Sequence, residues 1–284
     1  MPRVTIESVG AATLVQDLGR HGLAAWGVAR SGAADRRALR LANRLVGNHD
    51  AAAGLECLLG GLAVVADDPV SIAVTGARCA VSVDGTRRGQ DMAVRVRAGQ
   101  RLDVGTVSAG LRVYVAVRGG VAATAVLGSR SYDTLGDLGP RPLRPADVVD
   151  VGSAAGCGPA WFDQVAVLEP TGAAHVRATL GPRDNWFATD AVEELWRATW
   201  QVTGDSDRVG LRLHGPTLSR RAGDLPSEPV LPGAVQVPAD GRPIILGPDS
   251  GTTGGYPVVA VVDDEDLDQL GQLRPGDSVR FRRA

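Results

Sequence analysis

Short runs rich in apolar residues recur along the chain, several of them alternating with polar residues, and most end at Gly, Pro or Asp. The clearest run is 111–117, in which alternate residues are apolar and Gly119 and Gly120 follow. A two-residue period places successive side chains on opposite faces of a β-strand. Further alternating runs are 79–83 and 94–96, and further short runs rich in apolar residues are 62–65, 70–74, 165–168, 176–180, 244–246 and 258–262. Many short strands with few helices between them are typical of barrels and sandwiches.

Three segments instead have the spacing of amphipathic helices. Residues 34–46 place apolar side chains on one face, and Gly47 is suited to end the helix. Residues 190–202 have a similar stripe, and Asp190 with Glu193 has the spacing of a capping box. A short acidic helix is predicted over 264–270. The pattern therefore predicts a mainly β protein with a few short helices.

One internal similarity indicates how the chain divides. The sequence LRPADVV at 143–149 resembles LRPGDSV at 273–279. In each case we expect a turn that leads into a closing strand. We therefore predict two related β domains, over residues 1–152 and 163–284. The small uncharged segment 152–159 has the composition of a linker between them.

Composition limits the classes of function. The 284 residues are 44% hydrophobic and carry a formal net charge of -2, which gives no electrostatic case for binding nucleic acid or an acidic membrane surface. The N-terminal residues have no apolar signal core, and no stretch approaches the ~20 apolar residues of a membrane span. We expect a soluble cytoplasmic protein. The three cysteines are widely spaced and the four histidines are scattered, so neither a disulfide framework nor a metal site is predicted.

All 30 basic residues are Arg, because the sequence contains no Lys. The chain therefore has no Schiff-base lysine, no phosphate-loop lysine and no lysine that could carry biotin. If biotin takes part in the reaction, another chain carries it. If ATP is bound, a Walker A loop does not bind it.

Several glycine-rich segments contain polar residues suited to a site. Glycines expose backbone N–H groups, Arg offers a planar fork for carboxylate or phosphate, and Gln can both donate to and accept from an amide. The alternative is that the same residues only shape tight turns. Predicted catalytic residues are Arg208, Tyr256 and Asp207. Predicted substrate-binding residues are Ser206, Gln236, Thr252, Thr253, Gly254, Gly255, Gln16, Asp17, Arg20 and Ser31. We expect the C-terminal residues to share one pocket. The N-terminal residues line either the same pocket or a second cleft.

Seven stretches of the sequence together resemble one family. It is the KipA family, which includes allophanate hydrolase subunit 2, the C subunit of bacterial 5-oxoprolinase and the carboxyltransferase part of urea carboxylase. The resemblance runs from end to end of the chain. The matching stretches are 13–48, 113–121, 126–131, 205–216, 234–246, 252–257 (TTGGYP) and 272–281.

The resemblance implies two tandem cyclophilin-like β-barrel domains. It also implies a complex with a B-type subunit (KipI-like, or allophanate hydrolase subunit 1), with an A-type 5-oxoprolinase subunit as a further candidate partner. The implied activity is ATP-dependent opening of 5-oxoproline to glutamate or hydrolysis of allophanate, with ATP used at the level of the complex. The alternatives are carboxyl transfer from biotin on another chain, and a non-catalytic role as an antagonist of a kinase inhibitor. Two departures leave the substrate open, because Ser250-Gly251 replaces the family's Arg-Gln and residues 132–135 differ after GSRS.

Overall fold

The computed structural model describes residues 1–167 and 169–284, and these form two compact units. The first unit contains Met1–Arg20, Asp35–Asp133 and Asp137–Pro170. The second unit contains Thr171–Ala284 together with two segments from earlier in the chain, His21–Ala34 and Thr134–Gly136. The sequence did not predict that these two segments would join the second unit. The division into residues 1–152 and 163–284 stays a prediction.

The first unit is built from two antiparallel sheets. Its strands are β1 (Arg3–Val9), β2 (Ala12–Gln16), β3 (Gly54–Leu58), β4 (Leu62–Ala66), β5 (Val70–Arg78), β6 (Val81–Val83), β7 (Thr86–Arg88), β8 (Ala93–Val96), β9 (Arg101–Val104), β10 (Ala109–Val117) and β11 (Val148–Asp150). One sheet has the order β11-β1-β4-β9-β6-β7 and the other β2-β3-β10-β5-β8. Alternate residues from both sheets form a single apolar core that includes Ile6, Leu55 and Leu102. The period-two pattern of the sequence produces this core directly.

Helix α1 (Arg36–Leu45) covers the outer face of the five-stranded sheet. The Asp35 side chain caps it by accepting from the Ala38 N–H at 2.9 Å. Gly47 follows with a φ of 75°, so the predicted glycine does end the helix in the left-handed conformation. The helix is therefore confirmed near its predicted bounds.

The second unit contains a closed seven-stranded barrel of order β12-β19-β16-β17-β14-β13-β20. The barrel strands are β12 (Ala173–Leu180), β13 (Trp200–Val202), β14 (Gly210–His214), β16 (Ala234–Gln236), β17 (Ile244–Leu246), β19 (Val258–Val262) and β20 (Ser278–Arg283). A two-stranded ribbon pairs β15 (Glu228–Pro229) with β18 (Thr253–Gly254). Helices α2 (Thr189–Arg197) and α3 (Leu267–Leu270) complete the unit. Trp200 and Leu195 are fully buried in its core. The predicted fold class, mainly β with few short helices, is confirmed.

Three local predictions are wrong. The helix predicted over 190–202 ends at Arg197, because Trp200–Val202 alternates in burial and enters the barrel as a strand. The predicted capping box is absent, since the cap residue is Ala188 and Asp190 instead accepts from the Ala191 N–H. Residues 165–167 of the predicted 165–168 strand lie outside any strand, and Leu168 is outside the described residues.

The repeated LRP-x-D-x-V segments do form the same local structure. Asp147 accepts from the Arg144 N–H at 2.7 Å, and Asp277 accepts from the Arg274 N–H at 2.8 Å. Each turn then leads into a strand, β11 in the first unit and β20 in the second. The similarity in sequence therefore marks equivalent turns in the two units.

Candidate functional site

A buried ion pair between Arg208 and Asp249 anchors the loop after β17 in the second unit. Arg208 donates from Nε to Asp249 Oδ2 at 2.7 Å and from Nη2 to Oδ1 at 3.0 Å. Ser31 Oγ donates to Oδ1 at 2.7 Å, and Thr134 donates its N–H and its hydroxyl to Oδ2 at 3.0 and 2.8 Å. Asp249 is 0% exposed and Arg208 is 7% exposed. We call Ser31, Thr134, Arg208 and Asp249 the arginine–aspartate cluster.

Backbone contacts hold the partners of this cluster in place. The Asp249 N–H donates to the Arg208 carbonyl, and the Ser31 N–H donates to the Pro248 carbonyl at 2.8 Å. Arg208 also donates from Nη2 to the Gly32 carbonyl at 2.6 Å. The cluster therefore fastens the early segment His21–Ala34 and the short segment Thr134–Gly136 to the barrel of the second unit.

Two opposing effects set the protonation of Asp249. Burial raises the pKa of its carboxyl group, but the Arg208 charge and the hydrogen bonds from Arg208, Thr134 and Ser31 outweigh burial. The pKa of Asp249 therefore lies below its ordinary value of 3.8. The ion pair stays charged at neutral pH.

We expect the stability of the second unit to fall as the solution becomes acidic. A carboxyl group whose folded pKa is lowered stabilises the fold above its unfolded pKa, and that contribution disappears as the pH falls through the folded pKa. Urea unfolding between pH 3 and pH 7, followed by tryptophan fluorescence, should show lower stability below about pH 4. Asp249→Asn should flatten this dependence, and an unchanged slope in that variant would contradict the assignment.

A second group of predicted residues lies where β16 ends. The Gln236 side chain is 6% exposed and donates from Nε2 to the Tyr256 carbonyl at 3.2 Å. It packs against the backbone of Gly254, where an added Cβ would overlap the Gln236 carboxamide. Gly254 pairs with Glu228 across the β15–β18 ribbon. We call Gln236, Thr253, Gly254, Gly255 and Tyr256 the glutamine site.

The glutamine site combines a fixed amide with exposed polar groups. Thr253, Gly255 and Tyr256 are exposed, and Tyr256 retains 47% of its accessible surface. Glu228 next to the site forms an ion pair with Arg183, whose Nε lies 3.0 Å from Glu228 Oε2. Amide, hydroxyl and backbone N–H groups supply both donors and acceptors for hydrogen bonds to a small polar molecule.

Of the predicted C-terminal residues, Arg208 lies in the arginine–aspartate cluster, and Gln236, Thr253, Gly254, Gly255 and Tyr256 lie in the glutamine site. The strand register sets Gln236 opposite Ile244 and Gly210 opposite Leu246, so Arg208 and Gln236 lie towards opposite ends of β17. Their convergence on one pocket stays a prediction. Asp207 Oδ1 accepts from the N–H groups of Val209 and Gly210.

The two remaining C-terminal residues, Ser206 and Thr252, contact backbone groups of their own unit. Ser206 Oγ accepts from the Arg212 N–H at 3.0 Å, and the Thr252 carbonyl accepts from the Val230 N–H. The Ser206 contact shapes a loop, and the Thr252 contact extends the pairing of the β15–β18 ribbon. The catalytic or binding roles of Asp207, Ser206 and Thr252 stay predictions.

The predicted N-terminal residues Gln16, Asp17 and Arg20 belong to the first unit, whereas Ser31 belongs to the second. Asp17 accepts from the hydroxyls of Ser129 and Ser131, each at 2.6 Å. Arg20 donates to the Ser131 carbonyl at 2.5 Å, and Gln16 donates to the Tyr132 carbonyl at 2.8 Å. These contacts fix the VLGSRS segment on the first unit, and the predicted substrate-binding roles remain untested.

The sequence did not identify Asp249, Thr134, Glu228 or Arg183 as members of these groups. The only sequence signal for Asp249 is its match to the Asp of the family pattern before TTGGYP. Thr134, Glu228 and Arg183 match no motif that the sequence analysis used. Among the described residues, no group of three or more His, Cys, Asp or Glu side chains could hold a metal ion. None of the described helices is long and apolar enough to cross a membrane.

The chain is a mainly β protein with a closed seven-stranded barrel and polar loops at the strand ends. Sequence comparison identifies its family. The chain belongs to the family described as carboxyltransferase domain, subdomain A and B, whose sequence profile matches residues 26–283. The resemblance found in the seven stretches is thereby confirmed.

Three similar proteins show how much of each relative the chain covers. It is 37% identical over 276 residues to the C subunit of 5-oxoprolinase from Escherichia coli (strain K12), covering 96% of this chain and 88% of that protein. It is 34% identical over 303 residues to urea amidolyase of Lachancea kluyveri, covering 97% of this chain and 16% of that protein. The crystal structure of the K. lactis urea amidolyase superposes with a TM-score of 0.92 at 29% identity, over 99% of this chain and 18% of that one. The chain therefore spans only a small part of each urea amidolyase.

Proposed function

We propose that the chain is the C-type subunit of an ATP-dependent amide-cleaving complex that opens 5-oxoproline to glutamate. The E. coli relative, of which the chain covers 88% at 37% identity, is named as the C subunit of a 5-oxoprolinase. In this proposal the chain is an enzyme subunit of a hydrolase, and the active complex also requires a B-type subunit. An A-type subunit is a further candidate partner.

The glutamine site is the observation that carries the proposal. The ring of 5-oxoproline presents an amide N–H and an amide C=O, and Gln236 can complement both. The backbone N–H groups of Gly255 and Tyr256 are suited to bind the oxyanion that forms when the carbonyl is attacked. The Tyr256 hydroxyl would lie beside the substrate. Arg208 acts in this proposal through Asp249, as a positioning residue for the second unit.

The absence of lysine decides how the chain could use cofactors. With no Lys, the chain carries neither a biotinyl group nor a phosphate-loop lysine. We therefore place ATP use at the level of the complex, and biotin only on another chain. A partner subunit is required for either chemistry.

A second candidate is the carboxyltransferase component of a biotin system that resembles urea carboxylase. The family description and the 34% identity to urea amidolyase favour it. The same glutamine site would then bind a ureido group, which presents the same donors and acceptors as an amide. A non-catalytic regulatory subunit remains the alternative from another class.

ATP hydrolysis by the assembled complex separates these candidates. The chain would be co-expressed with a B-type and an A-type subunit, and hydrolysis would be measured with 5-oxoproline, allophanate or urea. We expect stimulation by 5-oxoproline and a stable complex in size-exclusion chromatography. Stimulation by allophanate alone would make allophanate the substrate of the amide-cleaving complex, and stimulation by urea alone would favour the second candidate. No stimulation with intact assembly would favour a regulatory role. If the chain by itself reached the rate of the complex, the requirement for a partner would be wrong.

A further inference from the structure

A cleft in the first unit concentrates positive charge without any carboxylate. Its volume is about 1170 Å³, and the residues that line it come from the ends of β5, β7 and β10, from β8 and from the segment 152–154. Four of them are arginines, namely Arg88, Arg95, Arg97 and Arg118. None of the described residues lining the cleft is Asp or Glu.

Two of these arginines are held in fixed positions. The Arg95 guanidinium lies over the Phe162 ring, 5.0 Å from its centroid, and Phe162 also lines the cleft. Arg118 donates to the carbonyls of Val46 and Gly158 at 2.8 and 2.7 Å. A stacked or backbone-bound guanidinium loses less side-chain freedom when it binds a ligand. Arg95 is therefore oriented before an anion binds, whereas Arg118 contributes mainly its charge, because several of its N–H groups already donate to carbonyls.

The amount of charge indicates a ligand with several negative charges. The whole chain has a formal net charge of -2, yet this one cleft gathers four cations. A monovalent carboxylate such as 5-oxoproline would leave most of that charge unbalanced. The planar fork of Arg matches the oxygens of a phosphate group, and adjacent phosphates would engage adjacent arginines. A cleft of this volume also exceeds the room that one carboxylate needs.

Protection of strand edges is the competing explanation. Strands β7 and β8 lie at the edges of their sheets, and charged residues on edge strands prevent pairing with another molecule. Edge protection accounts for the presence of Arg88 and Arg95. Edge protection does not account for Arg118, because Arg118 follows the interior strand β10 and donates to backbone carbonyls.

We propose that this cleft binds an oligophosphate group, either that of a nucleoside triphosphate or that of a free oligophosphate. The proposal depends on the charge and shape of the cleft and not on the amide-cleaving reaction. If both proposals hold, the cleft is the place where this chain contacts ATP.

Direct binding to the full-length chain tests the proposal. Isothermal titration calorimetry at low salt would use inorganic triphosphate and, in a second arm, ATP without added metal. We expect saturable binding of triphosphate that weakens as salt is added. The triple variant Arg88→Gln, Arg95→Gln, Arg97→Gln should bind triphosphate at least 10-fold more weakly. A tenfold preference for ATP over triphosphate would identify the source as a nucleotide, and equal affinity would identify a free oligophosphate.

A matched variant removes three charges elsewhere. Arg197→Gln, Arg221→Gln, Arg242→Gln takes the same charge from exposed positions in the second unit and should leave affinity within about twofold. If the first triple variant aggregates, Arg97→Gln alone, on the exposed rim after β8, should still weaken binding severalfold. Equal losses in both triple variants, or no saturable binding by the wild type, would overturn the proposal. So would binding of polyglutamate that triphosphate cannot displace, because the cleft would then accept an acidic protein segment.

Discussion

Replacement of Asp249 by Asn is expected to lower the free energy of unfolding of the second unit by about 3–5 kcal/mol. The change is nearly isosteric, but it removes the carboxylate that forms an ion pair with the buried Arg208 guanidinium. It also weakens acceptors for Ser31 and Thr134. Urea unfolding should be followed by tryptophan fluorescence, because Trp26, Trp186, Trp196 and Trp200 lie in the second unit and only Trp161 lies in the first.

An exposed ion pair provides the control for this effect. Arg44 and Asp50 form a hydrogen-bonded pair in the first unit, with 65% and 34% of their side chains exposed. Because water screens such a pair, Asp50→Asn should cost less than about 1 kcal/mol. If Asp249→Asn lowered the free energy of unfolding no more than Asp50→Asn does, the arginine–aspartate cluster would not stabilise the second unit as proposed.

Replacement of Gly254 by Ala is expected to reduce turnover by the complex roughly 10- to 100-fold while the fold stays intact. The added Cβ would overlap the Gln236 carboxamide, which lies at the end of a flexible side chain and can move aside. The fold therefore tolerates the change, but the amide no longer points where the substrate needs it. Rates of 5-oxoproline-dependent ATP hydrolysis and the urea midpoint would be measured on the same preparation.

Gly251 in the same loop supplies the matched variant. A Cβ at Gly251 would meet only the Thr253 carbonyl, at 3.6 Å, which is ordinary contact. Gly251→Ala should therefore retain turnover within about twofold. Equal activity of the two alanine variants would place the substrate away from Gln236.

Most strands could be predicted because an alternating run, or a short apolar run bounded by turn residues, is a local property of the sequence. Strands β17 and β19 have the bounds that the pattern predicts. The error at 190–202 arose because Trp200 and Val202 suit a helical stripe as well as a strand, and burial in the barrel decided between them. Closure of the second unit into a barrel depends on pairings between distant strands, which no local pattern reveals.

The candidate site was predictable only in part for the same reason. The loops rich in Gly and polar residues were visible, and the structure places Arg208 in the arginine–aspartate cluster and Gln236 beside Tyr256. The roles of these residues stay predictions. The partners were not visible, because Ser31 and Asp249 are 218 residues apart and Thr134 and Asp249 are 115 residues apart. A sequence shows that an Arg is present, but the fold decides that Asp249 neutralises its charge.

Formation of glutamate from 5-oxoproline and ATP by the assembled complex is the most direct test of the proposed function. Complexes containing the wild-type chain or Gln236→Ala would be purified and shown to contain the same subunits in the same ratio. We predict glutamate formation by the wild-type complex, none by the chain alone, and a rate reduced at least 10-fold in the Gln236→Ala complex. A wild-type complex that forms no glutamate, or a Gln236→Ala complex with the full rate, would contradict the account.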